Sequence, residues 1–300
     1  MAKESLQIGV RAAALSADVR EAARLARTSG FSGLQLDAVS PSLDVTTLSQ
    51  TGRRELMHVL SSNDQQLIGL CADAGPKGFG PGADIDRILA RAQKIMEAAK
   101  GLNAPLICID AGPLPEPEAT TAPPPRITPQ DAGLIIIPTP PPAPREGRPV
   151  PGPDPAFLSH IDTALSALGA LADRIGVTVV FYSDLASFAA MNRALTAARC
   201  PSFGVDLDPV AILRDDWTLD EIFSRLGPFI RHVRARDATA GADRRTKAAC
   251  IGQGSTSWPE LLAALDQTGY RGWITIDPLE LPDRLAAASA AAKHIRASAP

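Results

Sequence analysis

Short apolar runs alternate along the chain with longer stretches in which apolar residues recur every three or four positions. The run from Leu6 to Arg11 predicts a first strand. Ser16 then stands as a cap for a helix with Val19, Ala22, Ala23 and Ala26 on one face, stopped by Gly30. Gly33 to Asp37 (GLQLD) predicts a second strand, Thr47 to Asn63 a second helix, and Gln66 to Cys71 (QLIGLC) a third strand. A glycine-rich loop, Gly75 to Gly82, follows. Ile85, Ile88, Leu89, Ala92, Ile95, Met96 and Ala99 repeat at helical spacing up to Gly101, and Pro105 to Asp110 (PLICID) reads as a fourth strand.

The alternation breaks between Pro113 and Pro153, which hold more than half of the 27 prolines. Proline lacks the N–H that helices and central strands require, so this stretch predicts a long loop. It leaves from the end of strand four, where a lid over a site is one reading and disorder the other. Regular elements resume with Asp154-Pro155 as a helix start, followed by the stripe Leu158, Ile161, Leu165, Leu168 and Ala172. Gly176 to Tyr182 predicts strand five, Leu185 to Arg199 a helix, and Ser202 to Asp208 strand six. Thr218 with Glu221, and Ser257 with Glu260, have the spacing of capping boxes. Strand seven runs from Phe229 to Arg236, strand eight from Gly272 to Asp277, and a closing helix from Pro282 to Arg296. Eight strands, each followed by a helix, predict a (β/α)8 barrel over residues 1–300 as one domain, with 113–153 as an insertion. A doubly wound sheet is the weaker choice, because Arg11-Ala12-Ala13-Ala14 lacks the glycines of a dinucleotide-binding turn.

Composition narrows the classes. The 300 residues are 45% apolar and 21% charged with a net charge of −3, which gives no electrostatic footprint for nucleic acid. No apolar run approaches the roughly 20 residues that span a bilayer, and Met1 to Val10 lacks a secretory core. Cys71, Cys108, Cys200 and Cys250 form no C-x-x-C pair, so a thiolate zinc site is not expected; Cys71 and Cys108 fall in apolar strands and read as buried, inert thiols. The expectation is a cytoplasmic protein acting on a small molecule, with its oligomeric state open.

Barrel sites lie at the C-terminal ends of the strands. Those ends read Arg11, Asp37, Cys71 with Asp73, Asp110, Tyr182, Asp208, Arg234 with Arg236, and Asp277. Side chains alternate along a strand, so Asp206 and Asp208 share one face of strand six, and His232, Arg234 and Arg236 one face of strand seven. Their apolar neighbours belong against the helices. The charged sets therefore face the barrel interior, where they persist only as pairs.

Four segments in order resemble the xylose-isomerase-like barrel superfamily, which includes sugar-phosphate isomerases and epimerases and endonuclease IV. They are Val205-Asp206-Leu207-Asp208-Pro209, His232-Val233-Arg234-Ala235-Arg236-Asp237, Ile251-Gly252-Gln253-Gly254 with Trp258, and Gly269-Tyr270-Arg271-Gly272 through Asp277. The resemblance implies a divalent metal held by carboxylates and histidine at the strand ends. Here Tyr182 stands at the strand-five ligand, Ala211 and Arg234 at the histidine positions, and Asp277 replaces a glutamate, leaving Asp208 and Asp277 as candidate metal ligands. The resemblance thus implies an isomerase or epimerase for a sugar or sugar phosphate, with no cofactor or a weakly bound Mn²⁺ or Mg²⁺.

Three readings stay open. In the first, Arg234 replaces the metal and pairs with Asp208 and Asp277; one of these carboxylates is the base, and Tyr182 is an acid or orienting donor. Substrate is then held by Arg11, Asp37, Lys77, Asp110, Arg236 and Asp237. In the second, the barrel is non-catalytic and an Arg–Asp network fills the old metal site. In the third, other carboxylates such as Asp37, Asp110, Asp184 or Glu280 hold Mg²⁺ or Mn²⁺. The first requires a reachable Arg234, the second a plugged mouth, and the third at least three converging carboxylates. DNA repair is the poorest fit, since His58, His160, His232 and His294 show no ligand pattern.

Overall fold

The computed structural model describes residues 6–72, 75, 77–80, 82–114, 116, 155–241 and 245–299. Eight parallel strands close into a barrel. The chain runs β1 (Ile8–Arg11), α1 (Val19–Thr28), β2 (Gly33–Asp37), α2 (Gln50–Ser62), β3 (Gln66–Ala72), α3 (Ile85–Gly101), β4 (Leu106–Asp110), α4 (Pro155–Ile175), β5 (Thr178–Tyr182), α5 (Phe188–Ala198) and β6 (Phe203–Leu207). It continues with α6 (Pro209–Asp215), α7 (Leu219–Arg225), β7 (Ile230–Ala235), β8 (Asp237–Ala240), β9 (Thr246–Ala249), α8 (Trp258–Gln267), β10 (Ile274–Ile276) and α9 (Arg284–Ala297). Around the barrel the order is β1, β10, β7, β6, β5, β4, β3, β2, and β8 and β9 form a separate antiparallel hairpin. Among the described residues no helix is long and apolar enough to cross a membrane.

Helix α3 shows how pattern becomes packing. Asp84 accepts from the Arg87 backbone N–H at the free N-terminus, and Ala92, Ile95, Met96 and Ala99 bury one stripe against the sheet. Between sheet and helices, Phe181 of β5 lies edge-on to both Phe79 and Phe203 of β6, with centroids 6.4 and 4.9 Å away. Burying each ring stabilises the fold by about 1.5–3 kcal/mol before strain is counted. At the bottom of the barrel two inward positions, Gly9 on β1 and Gly33 on β2, are glycine. A Cβ at Gly33 would stand 2.7 Å from the Trp273 ring, and one at Gly9 would stand 2.1 Å from Ile68 Cδ1. Those two large side chains therefore close the floor, and the polar groups collect above them.

Several sequence expectations shift. Asp18, not Ser16, caps α1; Ser16 instead accepts from the Asp18 N–H, because the chain first makes a 3-10 turn at Ala12–Ala14. Helix α2 starts at Gln50 under a Ser49 cap, since Asp44 caps a separate turn at Val45–Thr47. The Thr218–Glu221 capping box forms, whereas Ser257 makes no side-chain cap bond. Two elements are additional. Asp208 with Pro209 at the first position starts α6, and the β8–β9 hairpin intervenes between β7 and α8. Most of the proline-rich segment, residues 117–154, lies outside the described residues, as do Asp73 and the Asp154 cap.

Candidate functional site

The centre of the barrel is a connected set of charged and polar side chains. Asp206 on β6 is 1% exposed. Its Oδ1 lies 2.6 Å from His232 Nδ1, and its Oδ2 accepts from Arg234 Nε and Nη2 at 3.1 and 3.0 Å. A carboxylate only accepts, so Nδ1 carries the proton in this bond. His232 Nε2 lies 2.7 Å from Thr275 Oγ1. Burial pushes the Asp206 carboxyl up, but His232 and Arg234 outweigh it and hold the group at about 2.

Arg234 links this buried layer to the mouth. Its guanidinium carbon lies 3.5 Å from the centroid of the Tyr182 ring, and Nη1 is 3.6 Å from Asp277 Oδ2. Arg11 donates to the same Asp277 oxygen at 3.1 Å and to Asp37 at 2.5 Å. A second arginine cluster stands beside it. Arg236 binds Asp208 through Nε at 2.8 Å and through Nη2, and reaches Asp184 and Glu280, each at 2.8 Å. The Oδ1 of Asp208 accepts from the Val210 N–H and caps α6. Burial raises the Asp208 carboxyl despite Arg236 beside it, and burial pushes the Tyr182 phenol up to about 12 against the pull of Arg234.

The predicted pairing of Arg234 with Asp208 is thus corrected: Arg234 takes Asp206 and Asp277, and Asp208 goes to Arg236. The register sets Asp206 opposite His232 and Leu207 opposite Val233, so Arg234 reaches back along β6 to Asp206 rather than straight across to Asp208. Arg11, Asp37, Tyr182, Asp208, Arg234, Arg236 and Asp277 come together at the mouth. Asp110 lies at the end of β4, where its Oδ1 accepts from the Gly112 N–H at 2.8 Å. Lys77 stands apart, donating to the Gly82 carbonyl on the wall of a cavity of about 470 Å³ against α3. Asp237 is turned away from the mouth. It is 3% exposed and accepts from the N–H groups of Ala238, Gly252 and Thr256 and from Trp258 Nε1, so it holds the Gly252–Gly254 turn in place.

Sequence reasoning placed Asp206 and His232 on the inward faces but left both out of the site. It also missed Gln35, whose amide donates to Cys108 Sγ at 3.0 Å, and Thr275. A lone glutamine in the apolar run GLQLD was a readable signal, whereas Thr275 in an apolar strand was not.

The donor set does not fit a metal. Among the described residues, Cys108, Asp206 and His232 are the one group whose ligand atoms converge, within 4.8 Å of one another. Their closest atoms already share a hydrogen bond at 2.6 Å. A zinc ion would require Nδ1 to lose its proton and both atoms to stand at about 2.0–2.2 Å from the ion. The Arg234 guanidinium on the same carboxylate would repel that charge. Asp208 and Asp277 fare no better as ligands, being bound to Arg236 and to Arg11 and Arg234 respectively. The oxygens of Asp37, Asp110, Asp184 and Glu280 form no converging cluster among the described residues.

A rim cleft of about 400 Å³ adjoins the mouth between the loops after β1 and β2. It is lined by Ala12, Leu15, Leu36, Asp37, Leu43 and Arg284, among others.

Comparison with known proteins agrees with the architecture. A solved xylose isomerase domain protein from Planctomyces limnophilus is 15% identical, with a TM-score of 0.70 over 99% of this chain and 98% of that one. The 3-keto-D-glucoside 4-epimerase of E. coli is 16% identical, with a TM-score of 0.68 over 98% and 100%. The IolI protein, solved with a bound zinc atom, is 12% identical, with a TM-score of 0.70 over 98% of each chain. At such identities these likenesses speak for the fold alone. No curated protein matches the chain significantly. The family model of the xylose isomerase-like TIM barrel matches residues 23–298, and the chain belongs to that family.

Proposed function

We propose that this barrel binds a small hydroxy-carbonyl compound of the sugar class at the rim of its mouth without a divalent metal, the arginine–carboxylate network filling the place where family resemblance implies the ion. The observation that carries this reading is the burial of Arg234. Its side chain is 5% exposed, with carboxylates on its edges and the Tyr182 ring on its face. A cation so enclosed has little capacity left to polarise a substrate carbonyl. Ligand recognition falls to the rim. Asp37, Asp184 and Glu280 are 29%, 58% and 60% exposed and offer acceptors for hydroxyl groups. The adjoining cleft of about 400 Å³ is within the range of small-molecule sites. The sugar class is supported by structural neighbours named as epimerases of 3-keto-D-glucoside and D-psicose.

Titration calorimetry with a panel of ketoses, aldoses and their phosphates tests this, run with and without EDTA. The expected result is saturable binding that EDTA leaves unchanged and that Asp37→Ala weakens about tenfold, the loss of roughly 1.4 kcal/mol of polar contact. Metal-dependent turnover, or no binding by any member, would overturn it.

A second reading has its own support. Asp208 is raised by burial and Tyr182 stands at about 12, so two proton-transfer groups lie at the same end of the barrel as a fixed cation. This suits a metal-independent isomerase or epimerase that opens the network when substrate binds. Incubating the bound sugar in D2O separates the two. Deuterium entering next to the carbonyl favours catalysis, and its absence favours the binding barrel.

A further inference from the structure

Cys71 and Cys108 are the buried nucleophilic groups that the site description leaves unused. They are Cα partners across β3 and β4, with Cys71 also in register with Asp37 on β2. Both side chains belong to the small cluster inside the barrel with Leu106, Val180 and Tyr182. In-register neighbours on adjacent strands stand about 4.8 Å apart, inside the roughly 4.4–6.8 Å Cα range that a disulfide spans.

The surroundings make the two thiols unequal. Cys108 beside it and the guanidiniums of Arg11 and Arg234 lower the Cys71 thiol, against burial and the nearby Asp37 carboxylate. Cys108 is fully enclosed, receives a hydrogen bond from Gln35, and is pushed up by burial, with Asp206 nearby adding to the rise. Cys71 lies at the mouth side and is 8% exposed, against 0% for Cys108. Cys200 lacks such a setting. It donates to Asp173 Oδ1 at 3.7 Å, and burial together with this carboxylate raises its thiol.

We propose that Cys71 and Cys108 are a peroxide-oxidisable thiol pair at the barrel mouth, with Cys71 the attacking and Cys108 the resolving sulfur. The Cys71 thiolate attacks one oxygen of a hydroperoxide such as H2O2. The O–O bond breaks, hydroxide leaves and takes a proton as water, and Cys71 becomes a sulfenic acid. Cys108 then attacks that sulfur, its proton joins the departing hydroxyl as a second water, and the S–S bond forms. Two thiols are oxidised and one peroxide is reduced to two waters. The bond ties β3 to β4. The inference is independent of whether a sugar binds.

The test uses the full-length, reduced protein and H2O2 at a few equivalents, followed by denaturation, alkylation with N-ethylmaleimide and peptide mass spectrometry. The four free cysteines of the reduced chain are expected to fall to two titratable thiols, with Cys71 and Cys108 peptides joined and Cys200 and Cys250 alkylated. In Cys108→Ser, Cys71 should be trapped by dimedone as a sulfenic acid, and in Cys71→Ser, Cys108 should remain a thiol. Four alkylated thiols after oxidation, or equal oxidation of Cys108 in Cys71→Ser, would overturn the assignment. The wild-type measurement stands whether or not either variant folds.

Discussion

Replacing Arg234 by methionine isolates the energetics of the buried network. Methionine keeps much of the volume while removing the cation. Asp206 would then lose the two donors now at 3.1 and 3.0 Å and keep only the hydrogen bond to His232 Nδ1. Breaking one side of a buried pair costs about 3–5 kcal/mol. The pH dependence supplies an independent figure. Asp206 is held at about 2 against an ordinary 3.8, and at 1.36 kcal/mol per pH unit that difference contributes about 2 kcal/mol. The folded value lies below the ordinary one, so this contribution is complete above about pH 4 and is lost as the pH falls toward 2. In Arg234→Met the opposing effect of burial is no longer outweighed to the same degree, the carboxyl rises, and less is lost on acidification. Urea unfolding followed by the fluorescence of Trp217, Trp258 and Trp273, from pH 7 down to pH 3, reads both effects. The variant should be about 3–5 kcal/mol less stable at pH 7, and the gap should narrow toward pH 3. A variant within about 1 kcal/mol of the parent at pH 7, or a gap independent of pH, would mean that Arg234 does not hold Asp206 ionised in the folded barrel.

Two further substitutions test the reading of single positions. Asp237→Ala removes the acceptor for three backbone N–H groups and the Trp258 indole; it should cost about 2–4 kcal/mol and raise amide hydrogen exchange across Ala248–Trp258, while Asp237→Asn recovers part of the loss. Asp18→Ala should cost only about 1 kcal/mol in urea unfolding, whereas Ser16→Ala should cost less, because Asp18 is the residue that accepts from the Glu21 N–H.

The barrel was legible because its evidence is periodic. Strand β2 matches its predicted bounds, and α3 follows its apolar stripe to Gly101. Local capping rules worked where side chain and turn agreed, as at Thr218, and failed at Ser257 because the box spacing alone does not ensure that the hydroxyl meets a free N–H. Alternation also predicted that Asp206, His232 and Arg234 face inward. It could not predict which carboxylate meets Arg234, since Asp206 and Asp208 share a face and a long guanidinium can reach either; the register sets Leu207 beside Val233, yet Arg234 reaches back to Asp206. Helix α6 was hidden in plain view. Asp208-Pro209 is a cap followed by a first-turn proline, but reading Asp208 as a strand-end acid masked its capping role. The opposite held for Asp237. Its charge at a strand end suggested substrate, yet its partners are backbone groups that close a turn, which no spacing rule distinguishes.

In the proposed reading, ion pairs stand where the family resemblance implies a metal. Metal content by inductively coupled plasma mass spectrometry, on protein purified without chelator or metal affinity and again after incubation with excess Mn²⁺ and desalting, tests it most directly. Far less than one equivalent of Mn, Zn, Fe or Co per chain is expected in both samples. Near-stoichiometric metal in either would contradict it, and would require Arg234 and His232 to leave Asp206.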